Sequence, residues 1–268
     1  MLDKPLVAFD IETVPDPDAG RRAHGIEGSD VEVVREMVHR RREETNGGSD
    51  YPQPAHHRVV CACATIVHPD GPRVELRHLG AGGQGAGGQG ERAEVEGFFA
   101  LADELAMPRL VSWNGGGFDL PILRYRAMRW GVAAPAFHAP EGDARTDGYH
   151  ARYGTMHVDL MDVLSGYGAS SRTGLGTIAR VLDLPGKAFL EHAVWEHWAD
   201  GELPRVVEYC KLDTVETLLV YLAWAHHTGR VRRAEVTAIV AATRAAIARE
   251  PFDGWRAIEQ SLEGWPRW

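Results

Sequence analysis

The hydrophobic pattern begins with Leu6-Val7-Ala8-Phe9, a continuous apolar run that reads as a buried strand and ends in two carboxylates one residue apart, Asp10 and Glu12. Side chains alternate along a strand, so both acids point to the same side. Two further apolar runs, Val59 to Val67 and Val74 to Leu79, are separated by Pro69-Asp70-Gly71-Pro72, which reads as a hairpin connection. Three strands in succession predict an antiparallel meander that begins with the acidic strand. Between the first two lie a polar passage from Val14 to about Asp30, a segment rich in helix formers from Val31 to Thr45, and loop material from Asn46 to His57.

Farther on, the apolar period changes to that of helices. Val95, Phe98, Phe99, Ala102 and Leu105 predict an amphipathic helix from Glu91 to about Ala106. Arg109 to Asn114 reads as a short strand, broken by Gly115-Gly116-Gly117 before a helix from Phe118 to about Trp130. Asp119 then falls in the first turn of a helix just beyond a strand end, where loops of α/β folds carry ligands. Met156 to Leu164 predicts a strand or strand-helix junction containing Asp159 and Asp162, and short helices are expected at Arg172 to Leu182 and Ala188 to Trp198. Leu203, Val206, Val207, Cys210, Val215, Leu218, Leu219 and Leu222 sustain a long helix from Glu202 to about His227, with Pro204 tolerated in its first turn. Another helix is expected from Val231 to about Arg249, followed by a Trp-rich tail from Pro251 to Trp268. The mixed order of strands and helices predicts an α/β fold with a mixed sheet in a single domain, its core at about 5–228 and a C-terminal helical extension at 229–268.

Composition narrows the classes. A chain of 268 residues with 44% hydrophobic and 25% charged residues is ordinary for a globular protein. A net charge of -9 argues against holding nucleic acid by a broad basic surface, though not against a local groove. Arg35, His39, Arg40, Arg41 and Arg42 concentrate positive charge, which reads as a solvated helix face before it reads as a nucleic-acid contact. No apolar stretch has the ~20 residues of a membrane span, and the N-terminus lacks a signal-peptide pattern, so a cytoplasmic location and no membrane partner are expected. Gly80 to Gly90 repeats Ala-Gly-Gly-Gln-Gly without the Gly-Lys-Ser or Gly-Lys-Thr of a phosphate loop and reads as a linker. Cys61, Cys63 and Cys210 form no Cys-x-x-Cys pair and read as core residues of a reduced protein, which sets zinc aside. Glu191-His192 and Glu196-His197 do not align on one helix face and read as surface residues.

Chemistry enters with the long helix. Tyr209 and Asp213, four apart, lie one turn apart on one face. If the fold gathers them with Asp10, Glu12 and Asp119, four carboxylates supply the hard oxygen set that suits Mg²⁺ or Mn²⁺. Taken alone, Asp10 and Glu12 read as two solvated acids at a strand end before they read as a metal site.

In order and spacing, Phe9-Asp10-Ile11-Glu12-Thr13, Asn114-Gly115-Gly116-Gly117-Phe118-Asp119 and Tyr209-Cys210-Lys211-Leu212-Asp213 resemble the three motifs of the DEDD superfamily of 3'-5' exonucleases, in its tyrosine-bearing branch. Within that branch the chain resembles stand-alone bacterial proteins similar to the proofreading domain of family B DNA polymerases. The resemblance implies a ribonuclease H-like fold, a central mixed sheet with three initial antiparallel strands and flanking helices, with the acids at one edge. It also implies a two-metal-ion hydrolysis of phosphodiester bonds from the 3' end of single-stranded nucleic acid, DNA favoured over RNA. In that mechanism Asp10 would bridge two divalent ions about 4 Å apart, with Glu12 and Asp213 completing one site and Asp119 holding the other. Tyr209, whose ordinary pKa is about 10, would aim the water by a hydrogen bond instead of deprotonating it. Thr13, Asn114 and Phe118, beside the acids, are candidates for contacts to the terminal nucleotide and equally for structural roles. The chain would act alone or with a replication or repair protein. The rival reading is a catalytically silent nucleic-acid-binding or polymerase-associated module, against which the retention of all four acids weighs.

Overall fold

The computed structural model describes residues 3–71, 73–80, 88–139, 148–186 and 194–268. Strand β1, Leu6–Pro15, outruns the apolar run that predicts it. Its antiparallel partner β2, paired from Leu6 with Val67 to Pro15 with His57, supplies ladder bonds beyond the acids, so Asp10 and Glu12 sit inside the strand and not at its end. The polar passage that follows is not wholly irregular. It contains helix α1, Pro17–His24, begun by Asp16, whose side chain accepts from the Asp18 N–H at 3.1 Å, and closed by Gly25 at φ 63°. Helix α2, Asp30–Glu44, opens on a capping box between Ser29 and Glu32. Its cations pair locally, Arg40 with Glu36 at 2.7 Å, Arg41 with Glu44 at 3.2 Å and Arg42 with Asp50, as a solvated face would.

The chain continues through β2, His57–His68; β3, Arg73–His78; α3, Gly88–Glu104; β4, Arg109–Ser112; and α4, Asp119–Trp130. There follow α5, Pro135–His138; β5, His157–Asp159; α6, Leu160–Leu164; and α7, Leu175–Val181. The last elements are α8, Val194–Ala199; α9, Leu203–His227; α10, Arg233–Ile247; and α11, Trp255–Ser261. Most of the expected glycine-rich linker, and the start of the helix expected from Ala188, lie outside the described residues. The five strands lie in the order β3-β2-β1-β4-β5. β1, β2 and β3 form the antiparallel meander, and β4 and β5 add in parallel beside β1. This is an α/β architecture with a mixed sheet between helices.

Period-two alternation decides what each face carries. Val7, Phe9 and Ile11 of β1 and Ala62, Ala64 and Ile66 of β2 join a core with α3 and α4 on one side. Leu6 and Ala8, facing the other way, pack into the core built by α7, α9, α10 and α11. By the same alternation Asp10 and Glu12 face α9. The Trp-rich tail is not a loose end. Trp255 and Trp265, 2% and 4% exposed, are part of the α9 core, because α11 folds them back beneath α10.

Candidate active site

Opposite Asp10 in the sheet stands Cys63, and opposite Glu12 stands Cys61. Cross-strand partners share a face, so the two acids and two thiols lie together under α9. Cys210 of α9 closes the group: its thiol donates to the main-chain carbonyl of Asp10 at 3.4 Å and lies 3.9 Å from that residue's Oδ2. Donor atoms of Asp10, Glu12 and Cys210 all fall within 4.8 Å of one another, and so do the sulfurs of Cys61, Cys63 and Cys210. Cys61 and Cys63 donate to the carbonyls of Val206 and Val207 at 3.9 and 3.7 Å. Burial pushes the Cys63 and Cys210 thiols well above the ordinary range. The three are free, buried thiols, as the sequence predicts. What spacing alone does not reveal is that they floor the acidic site.

Asp119 reaches the same strand from the far side. The β1–β4 ladder runs only from Leu6 to Ala8. Beyond it the Ile11 N–H, between the two acids, is taken up by Asp119 Oδ1 at 3.2 Å. Asp119 is 4% exposed and opens α4. The loop leading to it is tightly made: Asn114 adopts φ 64°, and its carbonyl accepts from the Gly117 and Phe118 N–H groups at 3.0 Å each. A side chain at Gly115 would fall 2.4 Å from Ser112 Oγ, so the tight turn requires glycine there. Asp159 holds this loop, accepting from the Asn114 and Gly116 N–H groups at 2.9 Å each while capping α6 through the Met161 N–H at 3.1 Å. Burial pushes the Asp159 carboxyl above its usual range, against these amide bonds. Asp159, outside the three motifs, thus supports the fold at this loop.

On α9, Tyr209 is half-buried and Asp213 is 3% exposed. Cys210, between them in sequence, carries this stretch of helix against Asp10. One turn beyond, Thr214 meets Thr65 of β2, Oγ1 to Oγ1, at 2.7 Å. Lys211 pairs with Glu208 and Glu250 at 2.9 Å each, tying the helix to the segment after α10.

Thr13 Oγ1 lies 3.1 Å from Nδ1 of His57, and the Phe118 ring packs edge-on to His57 at 5.4 Å between centroids. Tyr51, 69% exposed, stacks beside His57 at 6.2 Å and meets Phe118 edge-on. Tyr51 and His57 carry no motif, so only proximity in the fold singles them out. Glu191 and His192 lie outside the described residues. His197 is not a surface residue: it is 5% exposed, with Nδ1 2.6 Å from Glu202 Oε2, because α8 turns it inward.

Two buried histidines give the chain a predictable acid response. Burial lowers His57 and His157 to about 4, the nearby Arg124 charge adding to the effect on His157. The unfolded chain, with pKa near 6.5, binds more protons between those values. Their stabilising contribution is therefore complete above about pH 6.5 and lost as pH falls to about 4, each histidine costing roughly 3 kcal/mol by then. Urea midpoints should drop steeply from pH 6.5 to 4.5, and His157→Asn should flatten that slope.

Residues 49–263 match the model of a family described as a predicted 3'-5' exonuclease related to the exonuclease domain of PolB. The chain belongs to that family. β1, with Asp10 and Glu12, precedes the matched residues. The chain is also 25% identical over 137 residues to a DNA polymerase of Archaeoglobus fulgidus, a stretch covering 48% of this chain and 17% of the polymerase. Its fold is similar to that of the family B DNA polymerase of the archaeon Pyrobaculum calidifontis, with a TM-score of 0.50 and 20% identity over 92% of this chain and 29% of that one. The chain thus spans less than a third of the polymerases it resembles. The five-stranded mixed sheet flanked by helices is ribonuclease H-like, as in that polymerase. Among the described residues no helix is long and apolar enough to cross a membrane.

Proposed function

We propose that the chain, acting as one exonuclease unit of the tyrosine-bearing branch, hydrolyses phosphodiester bonds from the 3' end of single-stranded nucleic acid, DNA in preference to RNA. The observation that carries this reading is the convergence on one stretch of β1: Asp10 and Glu12 share a face with donor atoms within 4.8 Å, and Asp119 bonds the peptide between them. Hard oxygen donors at that separation fit Mg²⁺ or Mn²⁺, which Asp10, Glu12, Asp119 and Asp213 would hold. When bound, two such ions supply a hydroxide near neutral pH and neutralise charge on the leaving 3'-oxygen.

The chain's own residues do the rest. The thiol of Cys210 holds β1 against α9 beneath the two acids, donating to the main-chain carbonyl of Asp10 at 3.4 Å and lying 3.9 Å from its Oδ2. Tyr209, one turn from Asp213, aims the attacking water through its hydroxyl. The exposed ring of Tyr51, backed by the buried His57 and with Phe118 edge-on to it, offers the terminal base a stacking surface, and Thr13 and Asn114 are the candidates for polar contacts. The silent-module alternative is not favoured, because all four acids and the tyrosine are retained.

The test is a 5'-labelled single-stranded DNA or RNA oligonucleotide incubated with Mg²⁺ or Mn²⁺. A ladder that shortens from the 3' end, faster on DNA, is expected. No cleavage of either polymer with either metal overturns the proposal.

A further inference from the structure

On the β5 side of the sheet a cavity of about 350 Å³ adjoins the loop that ends at Asp119. Its volume is in the range of small-ligand sites, roughly 300–1,000 Å³. One wall is the Asn114 to Gly117 backbone, and the others carry three guanidinium groups, Arg124 of α4, Arg152 and Arg172. The two carboxylates that line the cavity among the described residues are already engaged. Asp162 pairs with Arg152 and Arg172 at 2.9 Å each, and both oxygens of Asp159 accept backbone N–H groups of the loop.

Arg124 is left over. Among the described residues no carboxylate lies within ion-pair distance of it, and its Nε is buried with no hydrogen-bond partner. An unanswered guanidinium N–H out of water is costly, and a phosphate oxygen is the acceptor whose charge and geometry suit it. His150 and His157 add no competing negative charge. Among the described residues, three guanidinium groups against two carboxylates give the lining a positive balance in a chain whose net charge is -9.

We propose that this cavity receives a non-scissile phosphodiester group of the substrate strand, with Arg124 as its principal contact and Arg152 and Arg172 at its rim. The inference rests on the exonuclease reading for the identity of the strand. It gives an acidic protein a local anion site one loop away from Asp119, and so a grip on the strand independent of the metal ions. Because the same Asp159 that lines the cavity holds Asn114 and Gly116, a phosphate seated there would also steady the loop leading to Asp119.

The test is fluorescence anisotropy of a labelled single-stranded DNA oligonucleotide in EDTA, where cleavage does not occur. Arg124→Gln is expected to weaken binding about tenfold at low salt. It should also reduce the slope of log affinity against log salt by about 0.7, the release of one phosphate contact on a single strand. Arg124→Lys should restore most of the slope and only part of the affinity. Equal affinity and slope in the wild type and Arg124→Gln overturn the proposal. If only competition by a nucleoside 5'-monophosphate is lost in Arg124→Gln, the cavity holds the released nucleotide and the assignment to the strand is overturned. Should Arg124→Gln fail to fold, Arg172→Gln, whose side chain is 52% exposed, carries the same comparison with an expected loss of about threefold. A wild type that binds the oligonucleotide with this dependence on Arg124 but never cleaves it would refute the exonuclease reading and leave the cavity's role standing.

Discussion

Asp10→Asn is expected to lower exonuclease turnover on single-stranded DNA about 10³-fold, the scale on which loss of a principal electrostatic contact at a reacting centre is felt. The substitution keeps the shape of the side chain and leaves in place what Asp10 contributes to the fold, namely its pairing with Cys63 and the main-chain carbonyl that accepts from Cys210. It removes one of two like charges that share a strand face, so thermal stability should not fall. Mn²⁺ titration calorimetry provides the second readout: the variant should lose heat of binding that the wild type shows. Turnover within tenfold of the wild type, or unchanged Mn²⁺ binding, would remove Asp10 from the centre of the site. Glu12→Gln should follow the same pattern with a smaller loss, since Glu12 would help to hold one ion where Asp10 would bridge two.

Much of this site can be anticipated from residue order, because strand alternation is a strict rule. Asp10 and Glu12 must share a face wherever β1 lies, and four-residue spacing puts Tyr209 and Asp213 on one face of a helix. The meander is legible for the same reason, two apolar runs with a turn between them. What escapes sequence is set by partners. The extent of β1 depends on a β2 ladder that continues to Pro15 with His57. Helix α1 lies in a strongly polar passage, marked by its caps, Asp16-Pro17 at the start and Gly25 at the end. Asp159 bears no motif, yet it fixes the Asn114 loop, and Tyr51 meets both Phe118 and His57 across the fold. Such roles arise where two distant segments meet, and no local pattern encodes the meeting.

The largest effect on stability is expected at Arg126, which has no part in the proposed chemistry. It is 5% exposed on α4 and bridges two buried carboxylates. Its Nε and Nη2 grip Glu91 at 2.6 and 2.5 Å, and its Nη1 reaches Asp16 at 2.7 Å. Burial alone would raise the Asp16 carboxyl, but the Arg126 hydrogen bond and charge, with the charges of Arg129 and Arg58, together hold the pKa below the usual carboxylate value. Glu91 cannot simply be replaced together with Arg126, because it also accepts from the Val59 N–H at 2.8 Å and from Trp130 Nε1 at 2.9 Å. The group ties the end of β1, the start of β2, α3 and α4 at a single point, and so sets the strand of Asp10 against the helix of Asp119. Arg126→Gln leaves two buried carboxylates short of a counter-charge and should cost about 3–5 kcal/mol. For a chain of this size that is a fall in melting temperature of roughly 6–20 °C by calorimetry. Arg126→Lys should recover only part of it, since one ammonium cannot reproduce the two-pronged contact with Glu91 while also reaching Asp16. If the Asp10 to Asp119 placement depends on this tie, both variants should also lose turnover at temperatures well below their melting points, with Mn²⁺ affinity falling in parallel. Unchanged turnover at such temperatures would show that the sheet alone keeps the two acids in place.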